Sequence, residues 1–353
     1  MGDDIMRPGP SISVVIPAYN CCNHISQSLS SLLEIQKRGE ILEIILVDDG
    51  SVDATVETAA SLGAQVIQTG GRRGPAAARN LGAERSRGDI LWFVDADVVV
   101  RSDTARHIRR ALTAHDVAAV FGSYDDSPQV RNFFSQYKNL IHHYFHQSIR
   151  GEASTFWAGC GAVWRDLFLQ HGGFNADGYP RPSIEDIEFG YRLRDGGGRI
   201  LGVPEAQGTH LKAWTWWTVI TTDVRDRAVP WARLLLRRGR VEDNLNVAVT
   251  ERVRAMIAGL LALSCLTRLA GLTPWWVPVV LLLIAFAANL ELFALFQRRN
   301  GLLFALKGMF FHQVYYLYSI AAYCWCLAIE ASRSLKSRLD GRRSIAQASN
   351  LNL

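Results

Sequence analysis

Ile90-Leu91-Trp92-Phe93-Val94-Asp95-Ala96-Asp97 decides the fold. Five consecutive apolar residues without polar alternation suit a strand covered on both faces of a sheet. The run then stops at two carboxylates one residue apart. The same order recurs upstream. Ser13-Val14-Val15-Ile16 ends at Pro17-Ala18-Tyr19-Asn20, and the run from Ile41 to Val47 ends at Asp48-Asp49-Gly50-Ser51. Amphipathic stretches between them predict helices from His24 to Ile35, from Asp53 to Leu62, and from Ala76 onward after Gly74-Pro75. Ala64 to Gln68 reads as a short third strand. This alternation predicts an α/β fold, with a mostly parallel sheet sandwiched by helices. Ligands of such sheets sit beyond the carboxyl ends of the strands, which is where all three polar endings fall.

The 353 residues leave room for two domains. A formal net charge of +5, with no basic stripe, argues against a nucleic-acid partner. Charged residues at 20% and hydrophobic residues at 49% exclude wholesale disorder. The cysteines, at 21, 22, 160, 265, 324 and 326, form no CxxC pair and no zinc spacing, so reduced thiols are expected. The first ten residues hold no apolar core of a signal peptide. The expected division is an α/β domain over 11–215, a basic amphipathic juxtamembrane region over 216–254, two or three membrane helices over 255–330, and a basic flexible tail over 331–353.

The membrane assignment rests on apolar length and flanks. Trp275 to Leu290 carries no charge and the run extends to Phe296, close to the roughly 20 residues that span a bilayer. Trp275 and Trp276 suit one interface and Arg298-Arg299 the other. The favoured arrangement is a hairpin of 256–272 and 274–297, with 309–329 as a third crossing or a surface helix. Trp214, Trp216 and Trp217 suit the membrane interface or a sugar. Arg225, Arg227 and Trp231 suit donor phosphates or anionic lipid heads.

Several local patterns carry chemistry. Asp95 and Asp97, at a bent strand end, can both reach a divalent cation, and oxygen ligands suit Mg²⁺ or Mn²⁺ held partly through substrate phosphates. Asp48 and Asp49 can accept hydrogen bonds from a nucleobase or ribose, or belong to a helix start at Ser51 or Asp53. Gly74-Pro75-Ala76-Ala77-Ala78-Arg79-Asn80 opens a helix after a glycine-rich turn, which suits phosphate or an ordinary junction. Glu185 and Asp186 begin a helix whose apolar side is Ile184, Ile187, Phe189 and Leu193. Asp186 is thereby left to face a cleft as a general base. His210 can complete a metal shell, touch a diphosphate or serve the core. Trp157, beside Gly159-Cys160-Gly161, is an acceptor-stacking candidate.

Taken in order, Ile16-Pro17-Ala18-Tyr19-Asn20, Asp48-Asp49-Gly50-Ser51, Gly74-x3-Ala78-Arg79-Asn80, Asp95-Ala96-Asp97 and Glu185-Asp186 resemble the family-2 glycosyltransferases, which have the GT-A nucleotide-sugar fold. Gly159-Cys160-Gly161-Ala162-Val163 resembles that family's acceptor-side stretch. The resemblance covers about residues 11–215. It implies a membrane-anchored inverting enzyme that moves one sugar from a nucleotide-diphosphate sugar, a UDP-sugar, to a lipid-linked or glycan acceptor. It implies that Pro17, Ala18 and Tyr19 line the base, Asp49 with Asp48 contacts uracil or ribose, and Arg79 lies near base and phosphates. Asp95 would meet ribose or metal, and Asp97 would bind Mn²⁺ or Mg²⁺. Asp186 would deprotonate the acceptor, with Glu185 orienting it or binding the acceptor. Gly159 and Cys160 would lie on the acceptor side.

The processive synthases' Gln/Arg-x-x-Arg-Trp motif has no match near Arg225 to Trp231, so chain extrusion is not expected. A polyprenyl-phosphate hexose synthase is the alternative within the family, although Cys21 stands where such enzymes carry an acid. A degenerate domain serving as a membrane scaffold is the alternative of another class, and the retained acids speak against it. The expected setting is an integral membrane protein of a bacterial inner membrane, with its catalytic domain facing the cytoplasm.

Overall fold

The structure, a computed structural model, describes residues 9–149, 151–240 and 245–350, with side chains to residue 333. The reading of the N-terminus falls mainly on residues outside that set. The chain divides into two compact units. The first holds the chain through Val219 and takes in Glu291–Gly308.

The elements of the first unit run β1 (Ile12–Ala18), α1 (Cys22–Lys37), β2 (Glu43–Asp48), α2 (Thr55–Ser61), β3 (Gln65–Gln68), α3 (Pro75–Arg85), β4 (Ile90–Val94) and β5 (Val98–Val100). They continue α4 (Thr104–Ala114), β6 (Ala119–Tyr124), α5 (Phe133–Gln147), β7 (Glu152–Ala153), β8 (Cys160–Trp164), α6 (Arg165–Gln170), α7 (Glu185–Asp195) and β9 (Ile200–His210). The sheet order is β3-β2-β1-β4-β8-β6-β9-β5, with β7 on β9.

The strands from β3 to β4 are parallel, as the strand–helix alternation predicts. Beyond β4 the sheet is mixed. β8 lies antiparallel to both β4 and β6, while β6 and β9 are parallel. The alternation stops at Asp95, because no helix separates β4 from β5.

The central strands are largely apolar because both faces are covered. Val14, Ile16, Trp92 and Val94 pack with Ile25 and Leu29 of α1 and Ile108 of α4. Val15, Val47, Leu91 and Phe93 pack with Ala78 of α3, Phe168 of α6 and Phe189 of α7. Pro17 continues β1 instead of ending it. It pairs with Val47 of β2, whereas pairing to β4 has already stopped at Val15. Its missing N–H therefore falls where one side of the ladder is open.

Leu290–Asn350 is one long helical element interrupted by Gly301, whose φ of 82° and ψ of 174° are not helical. Before the interruption Phe296 is fully buried in the first unit, its ring 5.8 Å from that of Tyr137. Arg299 pairs with Asp126, and Phe304 lies 5.2 Å from Phe133.

The second unit is helical and includes Val229–Arg238, most of Val249–Leu269, Trp276–Ala287 and the long helix beyond Gly308. Its interior holds polar cross-links. Tyr316 donates to Glu251 at 2.8 Å, Arg254 pairs with Glu251, and Tyr318 donates to Asp223 at 2.7 Å. Its outside shows Leu263, Leu266, Trp275, Leu283, Phe310 and Trp325.

Among the described residues one helix, Leu290–Arg333, is long and apolar enough to cross a membrane. The expected crossing over 274–297 is divided. Trp276–Ala287 has 12 residues, about 18 Å of helix, and a new helix begins at Leu290. Asn289, between them, turns its amide onto the Ala285 carbonyl at 2.9 Å. The stretch expected as a flexible tail continues the long helix to Asn350.

Candidate active site

The polar strand endings gather at one edge of the first unit. The turns after β1 and β2 clasp each other. Asn20 takes a left-handed φ of 47°, donates its backbone N–H to Ser51 Oγ at 2.9 Å, and accepts from Val52 N through Oδ1 at 2.9 Å. Of the three residues assigned to the base, Pro17 and Ala18 are buried within β1. Tyr19 is exposed, with the Arg72 guanidinium 4.4 Å from its ring centre.

Asp48 and Asp49 are both buried and both engaged. Asp48 accepts from the Gly50 and Ser51 N–H groups and so closes its own turn. Asp49 reaches the next loop. Its Oδ1 accepts from Thr69 Oγ1 at 3.0 Å and Arg73 N at 2.8 Å, and its Oδ2 from Gly74 N at 2.8 Å. Three donors on one carboxylate fix the entry to α3. Gly74 itself has φ +91°, and a Cβ there would stand 2.5 Å from the Pro180 carbonyl oxygen, so only glycine fits.

Asp95 and Asp97 flank the bend between β4 and β5. Asp97 Oδ2 lies 3.5 Å from His210 Nε2, and its backbone carbonyl accepts from Leu211 N at 2.9 Å. Burial works against its charge, but His210, then Lys212 and His24, outweigh burial and hold its carboxyl at about 2. His210 is stacked on Tyr124 with ring centres 4.5 Å apart and planes at 14°. The sequence singled out His210; Tyr124, Lys212 and His24 were missed. The Thr209-His210-Leu211-Lys212 spacing held the one available signal, since Lys212 follows His210 past the strand end.

Arg79, expected near base and phosphates, has its terminal nitrogens on two carboxylates. Its side chain is 7% exposed, Nη2 donates to Asp95 Oδ1 at 2.7 Å, and Nη1 donates to Glu185 Oε1 at 2.9 Å. The other Glu185 oxygen accepts from Ser183 N at 2.9 Å.

Asp186 is half-buried at the start of α7. Its Oδ2 accepts from Ala158 N at 3.0 Å and its Oδ1 from Ile187 N at 2.8 Å. Burial, then the neighbouring Glu185 charge, raises its carboxyl to about 6 against the opposing pull of the Ala158 N–H, Arg79 and the Ile187 N–H.

The Trp157–Gly161 stretch links the two acid groups. Gly159 accepts from Asp95 N at 3.2 Å, one residue after Ala158 donates to Asp186. A Cβ at Gly159 would stand 2.5 Å from the Trp157 ring, so chain and indole are in close contact. That indole is partly buried against Tyr124, His142 and His146. Cys160 is a correction: it is fully buried in β8 with its thiol pushed up by burial to about 12, so its side chain cannot meet an acceptor.

Covering helices, parallel strands with acids at their ends, and an antiparallel β8 entered through the stretch that supports the second acid define a GT-A-type nucleotide-sugar transferase fold. Residues 13–172 match Glycosyl transferase family 2, and the chain carries a domain of that family.

A glycosyltransferase of Haemophilus influenzae without an assigned activity is 30% identical over 120 residues, 33% of this chain and 47% of the relative. The chain spans about half or less of the length of the curated relatives it matches. Among solved structures, the mannosyltransferase PcManGT from Pyrobaculum calidifontis, in complex with GDP-Man and Mn²⁺, superposes with TM-score 0.54 at 18% identity over 91% of each chain. GalNAc-T7 with UDP, GalNAc and Mn²⁺ gives 0.50 at 17% identity over 65% of this chain and 48% of that one. At these identities the likeness is one of fold.

Proposed function

We propose that this chain is a membrane-anchored inverting glycosyltransferase that moves one sugar from a UDP-sugar to a hydroxyl of a lipid-linked or glycan acceptor. The observation that carries the reading is that consecutive residues of one stretch reach both acid groups: Ala158 N donates to the Asp186 carboxylate and the Gly159 carbonyl accepts from Asp95 N. One acid group is ionised and partnered by an imidazole; the other is raised toward neutrality. Pairs of acids pushed apart in this way mark distinct roles at one site.

The donor set fits a divalent cation that keeps several positions for substrate. Asp97 is held as a carboxylate beside His210, and Asp95 uses one oxygen on Arg79. Among the described residues no group of three or more His, Cys, Asp or Glu side chains is placed to hold a metal ion, so Asp95, Asp97 and His210 would share a Mn²⁺ or Mg²⁺ with substrate phosphates. Such an ion, when bound, supplies charge to the departing diphosphate. Two of the fold neighbours, PcManGT and GalNAc-T7, were solved with Mn²⁺.

The chain's own residues do the rest. Tyr19 offers an exposed face to the base, and Asp49 holds the 69–74 loop around it. Asp186 takes the proton of the attacking hydroxyl on the opposite side from the leaving group, which inverts the anomeric carbon. The open side of Trp157 offers an apolar face to the acceptor. The apolar helices of the second unit anchor the chain in lipid, with the α/β domain on the cytoplasmic side.

The test is nucleotide release from detergent-solubilised protein given a panel of UDP-sugars and GDP-mannose with Mn²⁺ or Mg²⁺. Metal-dependent release that is lost in Asp97→Ala and Asp186→Asn supports the reading. No release and no nucleotide binding by calorimetry would remove it.

A further inference from the structure

Arg79 is the only residue named above that touches both acid groups. It reaches from α3 to the β4–β5 bend through Asp95 and to the first turn of α7 through Glu185, at 2.7 and 2.9 Å. Phe174 covers the guanidinium from one side, its ring centre 5.8 Å away. With its side chain 7% exposed and both terminal nitrogens on carboxylates, a phosphate that drew Arg79 away would strip the guanidinium from Glu185, which is itself buried, and from the part-exposed Asp95. Glu185 is equally committed, because its second oxygen holds Ser183 N.

We propose that Arg79 is a positioning residue for the base and not a donor ligand: it holds Glu185 turned back from the acceptor and balances the charge that Asp186 faces. The inference rests on the reading of Asp186 as the base. The charged groups that act on Asp186 are Glu185, on its own helix, and Arg79, on α3. Asp186 is pinned by two backbone N–H groups, so its geometry does not need Arg79. What Arg79 supplies is the counter-charge. Without it the Glu185 carboxylate stands beside Asp186 uncompensated, and Asp186 keeps its proton to higher pH.

The experiment compares wild type with R79M, R79K, E185Q and R79M/E185Q as full-length, detergent-solubilised protein. It follows Mn²⁺-dependent nucleotide release against pH and measures UDP affinity by calorimetry. In R79M the acidic limb of kcat/KM moves up by about one pH unit. In E185Q the limb moves down, and in the double variant it returns toward wild type. R79K keeps the charge and moves the limb least.

A limb that stays in place in R79M and E185Q, with only the melting temperature lowered, overturns the inference. So does a tenfold or greater loss of UDP affinity in R79M with the limb unmoved, because Arg79 would then be a donor ligand. If R79M does not fold, E185Q reads the same coupling alone: a downward shift supports it and an unmoved limb overturns it. Failure of the base reading shows elsewhere, as unimpaired release by Asp186→Asn, and it removes this inference too.

Discussion

At the scale of single residues, the proposed role of Asp186 as the base requires its carboxylate form. Its carboxyl is raised from the ordinary range to about 6, so turnover is high above that pH and falls as pH drops through it. The acidic limb of kcat/KM, measured at saturating Mn²⁺, is expected near 6. Asp186→Asn removes the limb and lowers turnover by about 10²–10⁴-fold while UDP affinity holds. A variant that keeps the limb assigns it to another group. Asp97→Asn keeps the shape and removes the charge that faces His210. Mn²⁺ affinity, read by electron paramagnetic resonance without any substrate, is expected to fall at least about tenfold. The acids were legible in the sequence because each sits within one or two residues of a strand or helix end. Tyr124 was not legible: it stacks on His210 from a different strand, and nothing in its local sequence marks it. Arg79 was legible as an arginine in a motif, but its partners come from residues 16 and 106 positions away, which only packing reveals. Cys160 was misread because its neighbours suggested an acceptor surface, whereas its place in β8 puts it inside the core.

At the scale of elements, α3 shows what a sequence does and does not announce. Gly74-Pro75 marked its start, and proline at the first turn is consistent with helix geometry. Unannounced was the carboxylate of Asp49 gripping the loop before it, or the Pro180 carbonyl pressed against Gly74. Gly74→Ala is expected to lower stability by about 1–3 kcal/mol through the left-handed backbone and the clash, read as a shift in the denaturant midpoint. Stability equal to wild type would mean that the Pro180 loop yields. The parallel strands were legible because burial on both faces leaves a continuous apolar run. The antiparallel return of β8 was not, because its five residues look the same whichever way they run. The break before Leu290 was hidden in an apolar composition that hydropathy alone reads as one crossing.

At the scale of the whole molecule, an α/β unit and a helical unit share one chain. The exposed leucines and tryptophans of the helical unit have no aqueous explanation, and the long helix is of membrane-crossing length. The full chain is expected in the membrane fraction after alkaline carbonate washing and to float with liposomes on a density gradient. Recovery in the wash would reduce the helices to peripheral ones. Asp95 and Asp186 are joined by a long excursion through α4, α5 and α6, yet the adjacent pair Ala158 and Gly159 bonds to both, at the Asp95 N–H and at the Asp186 carboxylate. Lengthening the excursion at an exposed loop leaves the gap between cation and proton acceptor untouched. Inserting one residue between Ala158 and Gly159 changes it by a strand's rise, about 3.3 Å, more than a proton transfer can bridge. Variation in length should therefore be tolerated at the exposed loops of that excursion and damaging at the Ala158–Gly159 peptide bond.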